Sequence, residues 1–171
     1  MNNDASNCMH KINDFVMHRQ NGVCQITDIR KEDFCGTGEE TYYIMRAVND
    51  ASSKIYVPIN SAQIRDILTK DQINEVVKKT ESYSEEWIDD SRLRATHFEQ
   101  ILRGGKSSDI LWLIKVLSLH KSDVESQNKK FYASDEKILD AAKKIILQEF
   151  SFVLGLNEDE VIPYIINLTE K

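Results

Sequence analysis

Hydrophobic and polar positions alternate with a period of two in the first third of the chain. The segment NGVCQITDI places Val23, Gln25 and Thr27 on one face and Cys24 and Ile26 on the other, a pattern typical of a β-strand. Two later segments, ETYYIMRAV and SKIYVPI, are rich in the aromatic and β-branched residues that favour strands. Three or four short antiparallel strands so close together predict a small barrel.

Turn residues separate these predicted strands. The connection RKEDFCGTGEE contains Gly36 and Gly38, which permit positive φ and so predict a hairpin. NDASS predicts a second turn. Pro58 has no N–H to donate to a ladder, so we expect it at a sheet edge or at the end of its strand.

From about Ser61 onward the spacing of apolar residues becomes helical. SAQIRDILTKDQINEVVKKT predicts two short amphipathic turns, with apolar positions at Ile64, Ile67, Leu68, Ile73, Val76 and Val77. Glycines predict two helix ends, at Gly104-Gly105 and at Gly155. Capping residues predict the starts that follow: Ser107 or Ser108, Ser134, and Asn157 with Glu160. Pro163 should limit the last helix to a short or kinked one.

These patterns predict an α+β protein with a small N-terminal antiparallel β-barrel followed by an all-α C-terminal helical domain. We expect a flexible N-terminus over residues 1–11, the barrel over 12–60, a connecting helical segment over 61–90 and the helical domain over 91–171.

Composition narrows the class of protein. The chain has 171 residues, of which 41% are hydrophobic and 29% charged, as in ordinary globular proteins. No apolar run approaches the roughly 18 residues that a membrane helix needs. The polar start, MNNDASNCMHKIND, does not resemble a secretory signal. Three cysteines without paired spacing (Cys8, Cys24 and Cys35) predict reduced thiols in the cytoplasm.

No residue pattern indicates catalysis or a metal site. The one C-x-H triplet, Cys8 to His10, has no second Cys/His pair at ligand spacing. The glycines stand in turns and form no phosphate-binding loop. We therefore expect neither an enzyme nor a cofactor. Charge is uneven, because residues 91–144 contain 11 basic and 7 acidic residues in a chain of net charge −6. This excess fits either a solvated helical surface or a basic binding face.

Several segments, taken in their order and spacing, resemble the bacterial CarD/CdnL transcription regulators over about residues 12 to 157. They are HRQNGVCQITDI, YYIMRAV and IYVPI in the strand region, then W…R…F…IL.GG, LIKVLSLHK, SDEKIL and ILQEFSFVLGL in the helices. The N-terminal part is also similar to the polymerase-interacting module of transcription-repair coupling factors.

The resemblance implies that a Tudor-like barrel binds the β subunit of RNA polymerase. It implies that the helical domain binds promoter double-stranded DNA at the upstream edge of the transcription bubble, with a tryptophan wedged into the minor groove and basic residues on phosphates. The implied result is a stabilised open promoter complex, in the bacterial cytoplasm at the nucleoid. An exposed barrel edge leaves both a monomer and a strand-swapped dimer open.

The predicted site residues, which are positions implied by the resemblance together with neighbouring basic residues, form two sets. The polymerase-binding set is Lys31, Phe34, Arg46, Lys54 and Tyr56, and the DNA-binding set is Trp87, Arg92, Arg94, Lys115, Lys130 and Lys137. Glu32 and Tyr56 stand where the family often has arginine, so two positive charges implied by the resemblance are absent here. An alternative function is therefore a protein-only polymerase adaptor that does not contact DNA.

Trp87 has two interpretations. It lies about one helical turn before the family's wedge position, which Ser91 occupies here. As a DNA probe it should be largely exposed, whereas as a clamp that joins the barrel to the helices it should be buried. If Asp89 or Asp90 caps the helix, Trp87 lies in the linker before it. Trp112, on a helix that is apolar on two faces, is expected to be buried.

Overall fold

The computed structural model describes residues 10–34, 36, 38–80 and 87–169. They form five strands followed by five helices, which confirms the predicted α+β class. The chain divides into two compact units between Ile67 and Leu68. Cys8, Cys35 and most of the N-terminus that was expected to be flexible lie outside the described residues. His10 is buried, and its backbone N–H donates to the Tyr43 hydroxyl at 3.2 Å.

The N-terminal unit is one antiparallel sheet with the strand order β4-β3-β2-β1-β5. Its strands are β1 (Phe15–His18), β2 (Gly22–Glu32), β3 (Glu40–Ala47), β4 (Asp50–Pro58) and β5 (Ile64–Asp66). Within the described residues β4 and β5 are the two edges and do not pair with each other, so the sheet is open where a barrel was predicted. A three-residue edge strand such as β5 offers little backbone for closure.

One face of the sheet is apolar and forms the core of this unit. That core consists of Val16, Cys24, Ile26, Tyr43, Met45, Ala47 and Val57. The alternation predicted for β2 is confirmed up to a register shift between Ile26 and Asp28. There the Thr27 hydroxyl donates to the Ile44 carbonyl at 3.0 Å, so the irregularity is hydrogen-bonded.

The predicted hairpin at Gly36 and Gly38 and the predicted position of the proline are confirmed. Gly36 and Gly38 both have positive φ, at 69° and 122°. Pro58 is the last residue of β4, an edge strand. The turn predicted over NDASS lies instead at Val48 and Asn49, because Asp50 already belongs to β4. The helical prediction was wrong for Ile64–Asp66, which pairs with β1 as β5. Pairing with an existing strand outweighs the weak helical spacing of so short a segment.

The C-terminal unit is helical. It contains α1 (Lys70–Thr80), α2 (Ser91–Gly104), α3 (Ser107–Ser126), α4 (Ala133–Leu154) and α5 (Glu158–Thr169). Its core is drawn from all five helices and includes Ile73, Phe98, Leu113, Ile146 and Val161. No helix in the described part of the chain is both long and apolar enough to cross a membrane.

Helix ends were predicted better than helix starts. Gly105 and Gly155 adopt the left-handed conformation after α2 and α4, as expected. Asn157 and Glu160 make the predicted capping contact, with the Asn157 N–H donating to Glu160 Oε2 at 2.8 Å. The 12-residue α5 carries Pro163 inside it.

Two predicted serine caps were wrong. Lys106 is the N-cap of α3, and Tyr132 is the N-cap of α4. The Ser107 hydroxyl instead donates to Glu149 Oε2 at 2.9 Å, in the interior. Ser107 therefore hydrogen-bonds the buried carboxylate of Glu149 in α4 and does not cap its own helix.

Candidate functional site

An aromatic cluster lies on the face of the sheet opposite its core. The pairing register places Tyr42 of β3 and Tyr56 of β4 on this outer face. Phe34, just after β2, lies with its ring centroid 5.0 Å from that of Tyr42 and 5.3 Å from that of Tyr56, both nearly perpendicular. Lys54 Nζ lies 5.2 Å from the Tyr56 ring centroid. We call Phe34, Tyr42 and Tyr56 the outer-face cluster.

The outer-face cluster is ordered yet accessible. Phe34 is 56% exposed and Tyr56 37% exposed. Edge-to-face ring pairs are favourable by about 0.5–1.5 kcal/mol, so the cluster holds its own geometry without burial. Exposed aromatic side chains fixed in this way lose little entropy on binding, which is a property of interface anchors.

An ion pair lies on the same face. Arg30 pairs in register with Tyr42, and its Nε donates to Asp28 Oδ2 at 2.6 Å. That hydrogen bond, more than any other cause, lowers the pKa of Asp28. The face therefore offers fixed charges of both signs beside its aromatic rings.

Strand β4 adds a backbone edge to this surface. It pairs with β3 on one side and ends the sheet on the other, and it carries Lys54 and Tyr56. An edge strand of nine residues can accept an extended segment from another protein as an additional strand.

The structure brings together three of the five residues predicted to bind polymerase. Tyr56 contacts both Phe34, within the outer-face cluster, and Lys54 beside it. Arg46 is exposed on the same face of β3, whereas Lys31 pairs with Thr41 and belongs to the opposite face of β2.

Tyr42 and Arg30 were missed by the sequence analysis. The available signal was the alternation in ETYYIMRAV, because a buried Tyr43 puts Tyr42 on the outer face.

Two buried groups in this unit have shifted pKa values. Burial raises the pKa of the Cys24 thiol to about 11, so the thiol is protonated and unreactive at neutral pH. Burial also lowers the pKa of His18, partly offset by a hydrogen bond with Gln63. Both groups belong to the core side of the sheet and not to the outer-face cluster.

Comparison with known families agrees with the architecture of the N-terminal unit. Residues 10–70 match the family described as the CarD-like/TRCF RID domain. The N-terminal unit is a CarD-like/TRCF RID domain. This confirms the resemblance for that part of the chain and supports an RNA polymerase-interacting, transcription-related role. No curated protein matches the chain.

The RID domain match ends at residue 70, so the helical unit is interpreted from its own contacts. Arg94 is 1% exposed and ion-paired with Asp135, which is fully buried, at 2.8 Å between Nη2 and Oδ2. Its Nη1 donates to the carbonyls of Ile88 and Asp89 at 2.7 and 3.2 Å. One guanidinium thus ties α2 to α4 and to the segment that precedes α2.

Trp87 packs against the same guanidinium. Its ring centroid lies 4.5 Å from Arg94 Cζ and 3.7 Å from the His120 ring, to which it is stacked at 23°. It also meets Phe98 edge-on at 6.3 Å. Asp90 caps α2, so Trp87 lies before the helix, as expected if Asp89 or Asp90 was the cap. We call Trp87, Arg94, Phe98 and His120 the Trp87 cluster.

The Trp87 side chain is half-buried and packed on the core of the helical unit. A probe held out for DNA was expected to be largely exposed, and the observed packing favours a structural role. All the partners named above belong to the helical unit. Trp112 is buried as predicted, and its Nε1 has no hydrogen-bond partner in the described part of the chain.

The predicted DNA-binding cations separate by exposure. Arg94 leaves that set, because a buried side chain paired with Asp135 does not reach a phosphate. Lys115 is half-buried, and its Nζ donates to the Thr80 carbonyl at 3.2 Å. Arg92, Lys130 and Lys137 are exposed. Across the described ranges, no group of acidic, His or Cys side chains has an arrangement that could hold a metal ion.

Proposed function

We propose that this protein is a transcription regulator that binds the β subunit of RNA polymerase through its RID domain and promoter DNA through its helical unit. By holding both, it stabilises the open promoter complex and carries out no catalytic step. The observation that carries the proposal is the exposed outer-face cluster beside the free edge of β4, in a domain of a polymerase-interacting family. This role locates the protein in the bacterial cytoplasm, at the nucleoid.

The β subunit is bound by two kinds of contact in this proposal. A strand of the subunit adds to β4 through backbone hydrogen bonds. Phe34 and Tyr56 then supply the apolar anchors, and Lys54 supplies a charge at their rim. Truncating anchors of this kind typically costs about 2 kcal/mol or more of binding free energy.

DNA is bound through phosphates in this proposal. Arg92, Lys130 and Lys137 are the exposed members of the predicted set, and residues 91–144 carry the basic excess. Phosphate contacts give weak, salt-dependent and sequence-independent affinity. Tethering to polymerase raises the local concentration of the helical unit at the promoter, so weak contacts suffice.

A second candidate, the protein-only adaptor, is favoured by the geometry of the Trp87 cluster. In this cluster Arg94, a predicted DNA-binding cation, is ion-paired with Asp135, and Trp87, the predicted wedge, packs against the core. The net charge of −6 also opposes general affinity for DNA. In this alternative, the helical unit contacts a protein surface or supports the RID domain.

Two titrations of the full chain test the proposal, one with polymerase β subunit and one with promoter duplex over a salt series. The proposal expects binding in both, with log affinity for DNA decreasing linearly with log salt. It also expects a longer-lived open complex when the protein is added. Binding to the β subunit without measurable binding to DNA at low salt would select the adaptor. A Phe34→Ala, Tyr56→Ala double variant is the negative control for the polymerase arm.

A further inference from the structure

Tyr132 presents an exposed aromatic ring on the helical unit. Its side chain is 61% exposed, and among the described phenylalanine, tyrosine and tryptophan residues of this unit it alone is exposed. The preceding residue, Phe131, is half-buried and packs against the core. The connection between α3 and α4 therefore packs one of its two rings inward and exposes the other to solvent.

The Tyr132 ring is held in place before any ligand binds. Its backbone begins α4, with the Tyr132 carbonyl accepting a hydrogen bond from the Glu136 N–H at 3.0 Å. The guanidinium of Arg94 lies over the ring, with Cζ 5.7 Å from its centroid, and Asp135 fixes that guanidinium at 2.8 Å. One face of the ring thus meets a buried cation, and the rest of the ring is accessible. A ring positioned in advance loses little entropy when a ligand stacks on it.

The residues around Tyr132 in the chain expose positive charge. Residues 129–137 contain three exposed lysines, which are Lys129, Lys130 and Lys137. Both acids of the same stretch are ion-paired, Asp135 with Arg94 at 2.8 Å and Glu136 with Lys121 at 2.7 Å. The surface beside the ring therefore attracts anions.

A groove between α2 and α4 begins next to the ring. Its volume is about 410 Å³, it is open to solvent, and its α4 wall consists of Ala133, Ser134, Lys137, Ile138 and Ala141. The small side chains after Tyr132 leave room for a sugar–phosphate backbone, and Lys137 provides an ammonium. The acid in the groove, Glu99, is ion-paired with Arg103 at 3.6 Å.

An exposed aromatic ring beside lysines is the combination that binds single-stranded nucleic acid. Bases stack on such rings, and cations along the groove bind the phosphates. A base inside a duplex already has a neighbour on each face, so it does not stack on a protein ring without leaving the helix. The arrangement around Tyr132 therefore favours a strand with unpaired bases over a duplex.

We propose that Tyr132 stacks on an unpaired nucleobase and that Lys130 and Lys137 bind phosphates of the same strand. This contact rests on the DNA-binding part of the proposed function and deepens it, because it identifies a single strand as the ligand of this surface. Unpaired bases occur where promoter strands separate. A contact that the melted state offers and the duplex does not shifts the equilibrium towards the melted state.

Anisotropy titrations of the full chain with three DNAs test the contact. They are a blunt duplex, a fork with an unpaired thymidine tail, and the same fork with an abasic tail of equal phosphate number. We expect the fork with bases to bind about tenfold more tightly than the abasic fork, a difference of about 1.4 kcal/mol. Equal binding of the two forks overturns this proposal and leaves DNA binding intact. No binding to any of the three overturns the proposed DNA contact as well.

Variants locate the base. Tyr132→Ala should bind the two forks equally, whereas Tyr132→Phe should keep the tenfold preference, because stacking needs the ring and not the hydroxyl. Lys130→Gln should weaken both forks alike, as expected for a phosphate contact. Leu119→Ala, at a residue of α3 that is 63% exposed, is the matched control for loss of exposed apolar surface and should keep the preference. A preference that survives Tyr132→Ala overturns the proposal.

Two further measurements separate base stacking from other roles of the ring. Because the side chain is exposed, Tyr132→Ala should melt close to the wild-type temperature. A melting temperature lowered as much as by Trp112→Ala would make the ring structural and overturn the proposal. Loss of affinity for the polymerase β subunit in Tyr132→Ala, with the preference between the forks unchanged, would assign the ring to a protein contact and also overturn it.

Discussion

Each unit of this protein has an aromatic cluster with a cation against one ring, and the two clusters differ in burial. Lys54 Nζ lies 5.2 Å from the Tyr56 ring in the RID domain, and Arg94 Cζ lies 4.5 Å from the Trp87 ring in the helical unit. Phe34 is 56% exposed, whereas Arg94 is 1% exposed. The contact between a cation and an aromatic ring is thus exposed to solvent in the RID domain, whereas in the helical unit the cation is buried.

The difference follows from what else the cation contacts. Arg94 has a fully buried acid, Asp135, as its partner, together with two backbone carbonyls. Such a partner set makes burial of the charge tolerable and its removal costly. Lys54 is exposed on an edge strand, where water keeps it solvated and free to be rearranged by a partner. The first cluster is suited to binding and the second to holding helices together.

Removing the buried cation should have the largest effect. Arg94→Ala leaves Asp135 buried without its ion pair, so we expect a loss of about 3–5 kcal/mol in the free energy of unfolding. Chemical denaturation of the full chain measures this loss. Arg92→Ala, two residues away and exposed, is the control and should cost below about 0.5 kcal/mol. Similar small losses in both variants would contradict the structural role of Arg94.

Truncating the exposed aromatic side chains should reduce binding affinity and have little effect on stability. Phe34→Ala with Tyr56→Ala should reduce affinity for the polymerase β subunit by about 2 kcal/mol or more, roughly 30-fold. The free energy of unfolding should change much less, because both rings are accessible. Lys31→Ala is the matched control, because Lys31 lies on the opposite face of β2. A loss at Lys31 equal to that of the double variant would move the interface to the other face.

Trp87→Ala should have an intermediate effect on stability, about 1–2 kcal/mol, because the ring is only half-buried. Trp112→Ala, at a buried position, should cost about 3–5 kcal/mol. Thermal melting compares the two, and promoter opening is measured well below both transitions. If Trp87→Ala costs almost nothing and still impairs opening, Trp87 is a DNA probe after all.

The smallest effect concerns phosphates. Lys137→Ala should weaken duplex binding equally for unrelated sequences and reduce the salt slope by about one unit. Anisotropy titrations at several salt concentrations check both. Because Arg94 is enclosed, a folded Arg94→Lys variant should leave that slope unchanged. A sequence-selective loss at Lys137 would indicate base contacts in place of phosphate contacts.

Local signals in the sequence predicted much of the RID domain. Alternation identified β2. The two glycines identified the hairpin, and the structure shows positive φ at both Gly36 and Gly38. The three-residue β5 was not predicted, because it depends on pairing with β1, almost 50 residues earlier in the chain. Two of the three residues of the outer-face cluster were predicted. Phe34 and Tyr56 came from the family resemblance, and Tyr42 required knowledge of which neighbouring tyrosine is buried.

The Trp87 cluster shows what a single sequence does not reveal. Arg94 was placed in the predicted DNA-binding set, yet its burial depends on the ion pair with Asp135, 41 residues later. Trp87 likewise packs on His120 of α3. Helix-to-helix contacts of this kind leave no periodic signal, so burial of a charged residue was not foreseeable.

The most direct test measures the same two quantities, binding and stability, for one variant from each cluster. Affinity for the polymerase β subunit and free energy of unfolding are measured for Phe34→Ala and Trp87→Ala under the same conditions. The account predicts that Phe34→Ala loses affinity and keeps its stability, whereas Trp87→Ala loses stability and binds the β subunit normally while folded. Normal polymerase binding by Phe34→Ala, together with impaired binding by folded Trp87→Ala, would contradict it.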